Sequence, residues 1–417
     1  MGKLTVLMVT AFVDMMGILI VAPLLPFVTT EHLGEGPLWS VLNAIGLGGS
    51  GMVVSILIMM FSVAQLVSAP LWGRVSDRYG RRPALLIGIG ASTIAYVIFA
   101  YANSLELLLL CRIVQGAGGG TVSVIQAYVA DTTKPQDRAK ALGWLSAATN
   151  LGVVIGPVIG SWSLSLGWHA PGLVAAAISS VNMLFAWHYV TESHDVAAVR
   201  ASGKVVRGSR EAVLHVALHA NEPPSRLIWI YAITMGAFQG MTSILALFLA
   251  FRYGVTEKTI GYFFTYVGAI SVITRAFVLG KMVDRFGEPK LSRAGMIMLA
   301  IGLSTMPLAP SVLPWFALSV ALVPLGTAFT FPCVTGLLSQ VVPQHERGLY
   351  MGVQQTFGGI ARVAAPLYAG FAFDHFGRGV PFYTAGVLVV CAMLLGLDME
   401  KYRAGVHAPG AATQSPQ

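Results

Sequence analysis

Asp14 stands alone as an acid in the apolar run "TVLMVTAFVDMMGILIVAPLLP" (5–26). It lies ten residues into a predicted helix, about 15 Å along the axis at 1.5 Å per residue. A carboxylate at such depth in hydrocarbon is costly unless it is paired, hydrogen-bonded or protonated. Proton uptake and release is therefore the chemistry to expect of it; the bland reading is a structural carboxylate bonded to neighbouring helices. Arg112, in the fourth apolar run, starts from the opposite membrane face and reaches a comparable zone, which makes it the natural partner or modulator of Asp14. Gln115 follows one turn on, on roughly the same helical face. Arg275 and Arg362 also interrupt apolar runs. Arg275 precedes Lys281 by six residues and is expected to snorkel to the surface. Arg362 is near the middle of its run and must pair with an acid or face a cavity, where it would receive an anionic group. Gln126, Asn150, Gln239, Gln354 and Gln355 are further polar candidates for a substrate cavity, although single amides equally serve helix packing.

A second concentration of chemistry is the stretch "GRVSDRYGRRP" (73–83), with five charges in a chain whose residues are 11% charged. Basic residues between two apolar runs fix topology, which accounts for Arg74, Arg78, Arg81 and Arg82. It does not account for Asp77 among them, since a carboxylate there can pair with a guanidinium or accept hydrogen bonds at a helix start. The pattern returns as "GKMVDRFGEPK" (280–290), which aligns Gly73, Asp77, Arg78 and Gly80 with Gly280, Asp284, Arg285 and Gly287.

The elements that must position these groups follow from composition. Hydrophobic residues make up 55% of the 417, with a mean hydropathy of +0.72, which points to lipid as the solvent. A bilayer core of roughly 30 Å needs about 20 apolar residues per helix. Twelve such runs occur, near 4–26, 50–72, 84–102, 105–129, 139–165, 168–190, 226–251, 258–280, 291–308, 312–339, 349–372 and 379–398. The expected class is an all-α polytopic membrane protein. The first run carries Asp14, Pro23 and Pro26 without a small-residue cleavage site and is kept as a membrane helix. Cys111, Cys333 and Cys391 all fall inside apolar runs and are expected to be small buried core residues.

The net charge of +8 is topological. Of the 26 Lys and Arg, 20 fall at one set of run ends, which places both termini in the cytoplasm and makes a nucleic-acid surface an unattractive reading. "PQDRAKALG" (135–143) also returns, as "PQHERGLYMG" (343–352), so the chain repeats at about half its length. The arrangement expected is a six-helix half (1–190), a polar linker (191–225), a second half (226–400) and a disordered cytoplasmic tail (401–417).

On these residues the sequence resembles the major facilitator superfamily. "GRVSDRYGRRP" matches its signature between the second and third helices. "RIVQG" (112–116) matches its element in the fourth helix. Gly143, Gly152, Gly156, Pro157 and Gly160 follow the fifth-helix signature of the antiporter branch, departing at Ser161, where the pattern has glycine. "DMMGILIVAPLLP" (14–26) is similar to the first helix of tetracycline/proton antiporters. The resemblance implies that Asp77 meets the eleventh helix and that Arg81 pairs with Asp131, forming a cytoplasmic gate with Gly73, Arg78, Gly80, Arg82, Asp284 and Arg285. The glycines of the fifth helix, recurring every four residues, form a smooth ridge for close approach.

The function expected is secondary active transport, a proton-coupled antiporter exporting amphipathic small molecules. The plasma membrane of a bacterium is the expected location and a monomer the expected state, with protons, substrate and lipid as partners and no cofactor or metal. A transporter of an anionic metabolite or lysolipid is the alternative; a receptor or membrane enzyme is a more distant one. His215 and His219 make one His-x-x-x-His pair, but a membrane oxygenase needs several such boxes. No phosphate-binding loop signature occurs, so ATP drive is not expected.

Overall fold

The structure, a computed structural model, describes residues 3–32, 36–133, 137–192, 209–343 and 346–400. Among the described residues every regular element is helical. Twelve long helices follow one another: α1 (Leu4–Thr30), α2 (Ser50–Tyr79), α3 (Arg81–Ala100), α4 (Leu105–Val129), α5 (Ala141–Leu166), α6 (Ala170–Tyr189), α7 (Pro223–Tyr253), α8 (Ile260–Phe286), α9 (Glu288–Leu308), α10 (Val312–Val341), α11 (Arg347–His375) and α12 (Val380–Leu395). Ten are long and apolar enough to cross a membrane, and α12 is a shorter apolar helix. The remaining one, α11, has 29 residues, but Arg362, Asp374 and two glutamines dilute its apolar character. Large apolar side chains such as Trp162, Leu184 and Val387 stand on outer faces, more than half exposed. That suits helices solvated by lipid, where apolar exposure costs nothing.

The boundaries differ from the apolar runs in one instructive place. Expected as a loop, "GRVSDRYGRRP" is almost wholly helical: α2 continues to Tyr79 and α3 begins at Arg81. Gly80 alone makes the turn, at φ +106°, in the region that favours glycine. Its counterpart Gly287, at φ +75°, is likewise the single residue between α8 and α9. Charged residues mark where hydrocarbon ends, and a helix can run past that point into polar surroundings.

The chain packs as two compact units, one of residues 1–205, 239–272 and 362–381, the other of 206–238, 273–361 and 382–417. In the first, α3 and α4 approach closely where Gly88 faces Gly118; a Cβ on Gly88 would stand 3.0 Å from the Gly118 carbonyl oxygen. In the second, Gly295 and Gly326 repeat this contact between α9 and α10, where a Cβ on Gly295 would stand 2.7 Å from the Gly326 carbonyl oxygen. The internal repeat thus extends from motif to packing. Also in the second unit, the helix Ser209–Leu218 packs on α7, its Val216 carbonyl accepting the Trp229 indole N–H at 3.2 Å. His215 and His219 stack there, and His215 Nε2 lies 2.8 Å from Glu222 Oε2. The rest of the expected linker between 193 and 208, and the tail from 401, lie outside the described residues. Cys111 and Cys333 are buried as expected, whereas Cys391 is exposed. An apolar run identifies a spanning helix but not which of its faces turns inward.

Candidate functional site

The fourth helix breaks in the middle. Its first segment ends at Gly118 and its second starts at Thr121, leaving Gly119 and Gly120 between them. Carbonyls at the break are met by one stripe of α2: Ser68 Oγ donates to Gly116 O (3.3 Å), Trp72 Nε1 to Ala117 O (2.5 Å) and Gln65 Nε2 to Gly119 O (3.3 Å). Irregular backbone at membrane depth survives only with such partners. The break presents Thr121 to α1, where its hydroxyl donates to Asp14 Oδ2 at 2.7 Å. Asp14 is 5% exposed.

Arg112 does not pair with Asp14. Nine residues, roughly 13 Å of helical rise, separate Arg112 from Thr121 along α4. Its Nη2 contacts Cys111 Sγ at 3.6 Å, and its Nε is buried without a partner. Near this site stands Tyr96 of α3, 1% exposed, with the Gln115 amide beside its hydroxyl. Gly17, one turn from Asp14, makes the room: a Cβ there would stand 2.9 Å from Tyr96 Oη. Tyr96 and Thr121 are site residues that the sequence reading missed. The available signals were the glycine three residues after Asp14 and the glycine cluster "GAGGG" (116–120).

The charged turn is built around Arg81, which is buried. Its guanidinium meets Asp131 at the end of α4 (2.9 Å), Asp77 one turn back (2.7 Å) and Ser76 Oγ (2.7 Å). The Glu192 carboxylate accepts the Arg81 and Arg82 backbone N–H groups at 2.9 and 3.1 Å and so closes the start of α3. Arg82 Nη2 donates to Trp187 O at 2.6 Å. Arg81 therefore ties the ends of α2, α3 and α4 within one unit, and Asp77 is engaged by it. Gly73 lies on α2 with open space around it, and Arg78 is exposed over the Tyr79 ring. In the second copy Asp284 and Arg285 are exposed, and Glu288 replaces Arg81. Glu288 accepts from Gln340 Nε2 near the end of α10 at 3.1 Å, the same link with a different polarity.

The ridge of α5 meets α1 along its length. Cβ atoms on Gly152, Gly156 and Gly160 would strike backbone at Phe12, Met16 and Ile20 respectively. Gly143 has nothing within 4 Å and is not part of this seam. Opposite Pro157, α8 approaches at Gly261. There Ser161 Oγ accepts the Gly261 N–H at 3.1 Å and donates to Glu257 O at 3.0 Å. The residue at which the chain departs from the antiporter signature thus gains a bridging role.

A groove of about 170 Å³ opens between α1, α4 and α5, with Ala11, Ile125, Gln126, Ser146, Thr149 and Asn150 among its lining. Ala11 is one turn from Asp14 and Ile125 one turn from Thr121, so the groove adjoins the buried acid. Of the expected cavity groups, Gln126 and Asn150 line it. Gln115, Gln239, Gln354 and Arg362 do not. Gln115 is buried beside Tyr96. Gln354 is fully buried in the second unit, accepting from Thr335 Oγ1 at 3.3 Å. Gln239 and Arg362 are half-buried in the first.

Among the described residues, twelve long helices with a buried acid held at a break in a partner helix define a polytopic membrane protein of transporter type. The chain belongs to the Major Facilitator Superfamily, whose family model matches residues 7–287 and 227–413. It is 30% identical over 378 residues to the class C tetracycline resistance protein of Escherichia coli, covering 88% of each chain. It is 26% identical over 412 residues to Multidrug resistance protein 2 of Bacillus subtilis (strain 168), covering 94% of each. Among solved structures, the human organic anion transporter MFSD10 (TETRAN) is similar in fold, with a TM-score of 0.72 at 24% identity, over 94% of this chain and 98% of that one. A D-xylose-proton symporter has a TM-score of 0.73 at 18% identity, over 95% and 97%.

Proposed function

We propose that the protein is a proton-coupled antiporter that exports amphipathic small molecules, tetracycline-like drugs among them, across a bacterial plasma membrane. Drug-resistance relatives that match most of the chain support the substrate class. The observation that carries the coupling is Asp14, a buried carboxylate at the α4 break beside the groove. A group so placed can be neutralised by a proton in one state of the transport cycle and ionised in another. Two halves, residues 1–190 and 226–400, rock about the site, with the linker and both termini cytoplasmic as the basic residues indicate. Asp77, Arg78, Arg81 and Asp131, with Asp284 and Arg285, form the cytoplasmic gate of this cycle. The protein is an exporter, not an enzyme, and acts as a monomer.

The test is drug uptake by inside-out proteoliposomes with and without a pH gradient. Asp14→Asn is expected to abolish gradient-driven uptake and to leave the protein folded and inserted. Wild-type uptake by the Asn variant would place the proton site elsewhere. Arg362 favours a second reading, transport of anionic amphiphiles. Among the described residues its half-buried guanidinium has no ion pair, which leaves it able to receive a carboxylate, phosphate or enolate.

A further inference from the structure

Six buried polar atoms without a protein partner crowd the interior of the first unit near Asp14. They are Thr10 Oγ1, Tyr96 Oη, Arg112 Nε, both amide atoms of Gln115, and Asn182 Oδ1. Each of these side chains is at most 3% exposed. Buried polar groups are rarely left unbonded, because the desolvation they suffer is not returned. The Gln115 amide lies close to the Tyr96 hydroxyl, yet both amide atoms, the hydroxyl and Arg112 Nε lack a well-aligned hydrogen-bond partner. Donors and acceptors in close company but mutually misaligned are the lining that bound water requires.

We propose that Tyr96, Gln115 and Arg112 enclose a hydrated site beside Asp14, and that the Tyr96 hydroxyl positions the water through which the Asp14 carboxyl exchanges its proton. The inference rests on the reading of Asp14 as the coupling acid. Geometry supports the role of Tyr96. Its ring fills the notch at Gly17, which brings its oxygen to α1 one turn from Asp14. When the carboxyl O–H bond breaks, the proton passes to the bound water and a second proton leaves that water toward the groove at Ala11. The carboxylate that remains is held by the Thr121 hydroxyl. Tyr96 keeps its own proton throughout and is a positioning residue.

The other groups facing Asp14 are few. From α4 comes Thr121, bonded to the carboxylate, and from α3 comes Tyr96, whose hydroxyl lies at Gly17 one turn along α1. α5 and α6 contain no acid, lysine or arginine and one histidine, His188, at the far end of α6; His169, between the two helices, is held at the Ala100 carbonyl at 2.6 Å.

Tyr96→Phe tests the proposal, since it removes one oxygen and keeps the ring against Gly17. In full-length protein reconstituted into liposomes, the Asp14 carboxyl stretch is followed by infrared titration and identified by its loss in Asp14→Asn. In Tyr96→Phe its midpoint is expected to move by about one pH unit or more. Gradient-driven uptake should fall about tenfold while drug binding at fixed pH stays within about twofold. Gln115→Leu is expected to move the midpoint too, and serves if Tyr96→Phe does not fold. A midpoint unmoved in the folded variants, with uptake at the wild-type rate, overturns the hydrated site and leaves Tyr96 a packing residue. Gradient-driven uptake that survives Asp14→Asn sinks the reading of Asp14 instead, and the infrared midpoint then still reports the hydrated site by itself.

Discussion

The Asp374 carboxylate, near the end of α11, closes the amino end of α2: Oδ1 accepts the Gly51 N–H at 3.0 Å and Oδ2 the Met52 N–H at 2.7 Å. The partners are more than 300 residues apart in sequence. A helix start leaves its first N–H groups without intrahelical partners, and this one borrows a distant side chain to satisfy them. Gly49 and Gly51 provide the clearance, since a Cβ on either would press on that carboxylate.

Replacing Asp374 by Ala removes both acceptors and is expected to cost about 1–2 kcal/mol, the scale of a lost helix cap. Asn keeps one acceptor oxygen and should lose less. Thermal unfolding in detergent reads the order wild type, Asn, Ala. An Ala variant as stable as wild type would show that the cap carries no energy.

Arg81 and Asp131 should be energetically coupled. Each single substitution, Arg81→Ala or Asp131→Asn, is expected to destabilise, and the double variant to be little worse than either. A double-mutant cycle should return a coupling of about 0.5–3 kcal/mol. Full additivity would mean that the 2.9 Å contact contributes nothing.

The seam between α1 and α5 predicts a contrast among glycines. Gly156→Ala places a methyl where the Met16 carbonyl oxygen stands 2.7 Å away and is expected to cost about 1–3 kcal/mol. Gly143→Ala, in open space, should be neutral or slightly stabilising, because alanine favours helix. Thermal stability and folding yield of the two variants check this directly.

Ser161→Ala removes both hydrogen bonds that join α5 to the start of α8. Each is expected to contribute about 0.5–1.5 kcal/mol. Ser161→Gly restores the antiporter signature but not the bridge, so it should be no more stable than the Ala variant. Unfolding midpoints of the three proteins decide the matter.

For Arg362, competition assays with matched anionic, neutral and cationic amphiphiles test the second reading of the substrate. If the guanidinium receives an anion, Arg362→Ala should lose about tenfold for anions and spare cations, about 1.4 kcal/mol of selectivity. Equal losses in all three classes exclude it.

Much of this was legible in the chain because the bilayer imposes one-dimensional rules. Run length marked the spanning helices, basic residues suggested an orientation, and Asp14 was conspicuous as a lone acid in hydrocarbon. The pairing of Arg81 with Asp131 was also expected, although only resemblance carried it. Other features depended on how helices rotate and how near they come. Arg112 was expected to partner or modulate Asp14 because the two reach similar depth, but depth does not set azimuth and the two form no pair. The break at Gly119 and Gly120 turns Thr121 to the acid, and the missing side chain at Gly17 admits Tyr96. Ser161 read only as a departure from the antiporter signature until α8 lay against it, and Cys391 read as core until α12 had an outward face. Hydrophobicity is a property of each residue and can be counted along a sequence. Close approach is a property of pairs from distant segments, decided where absent Cβ atoms and broken helices let two backbones meet.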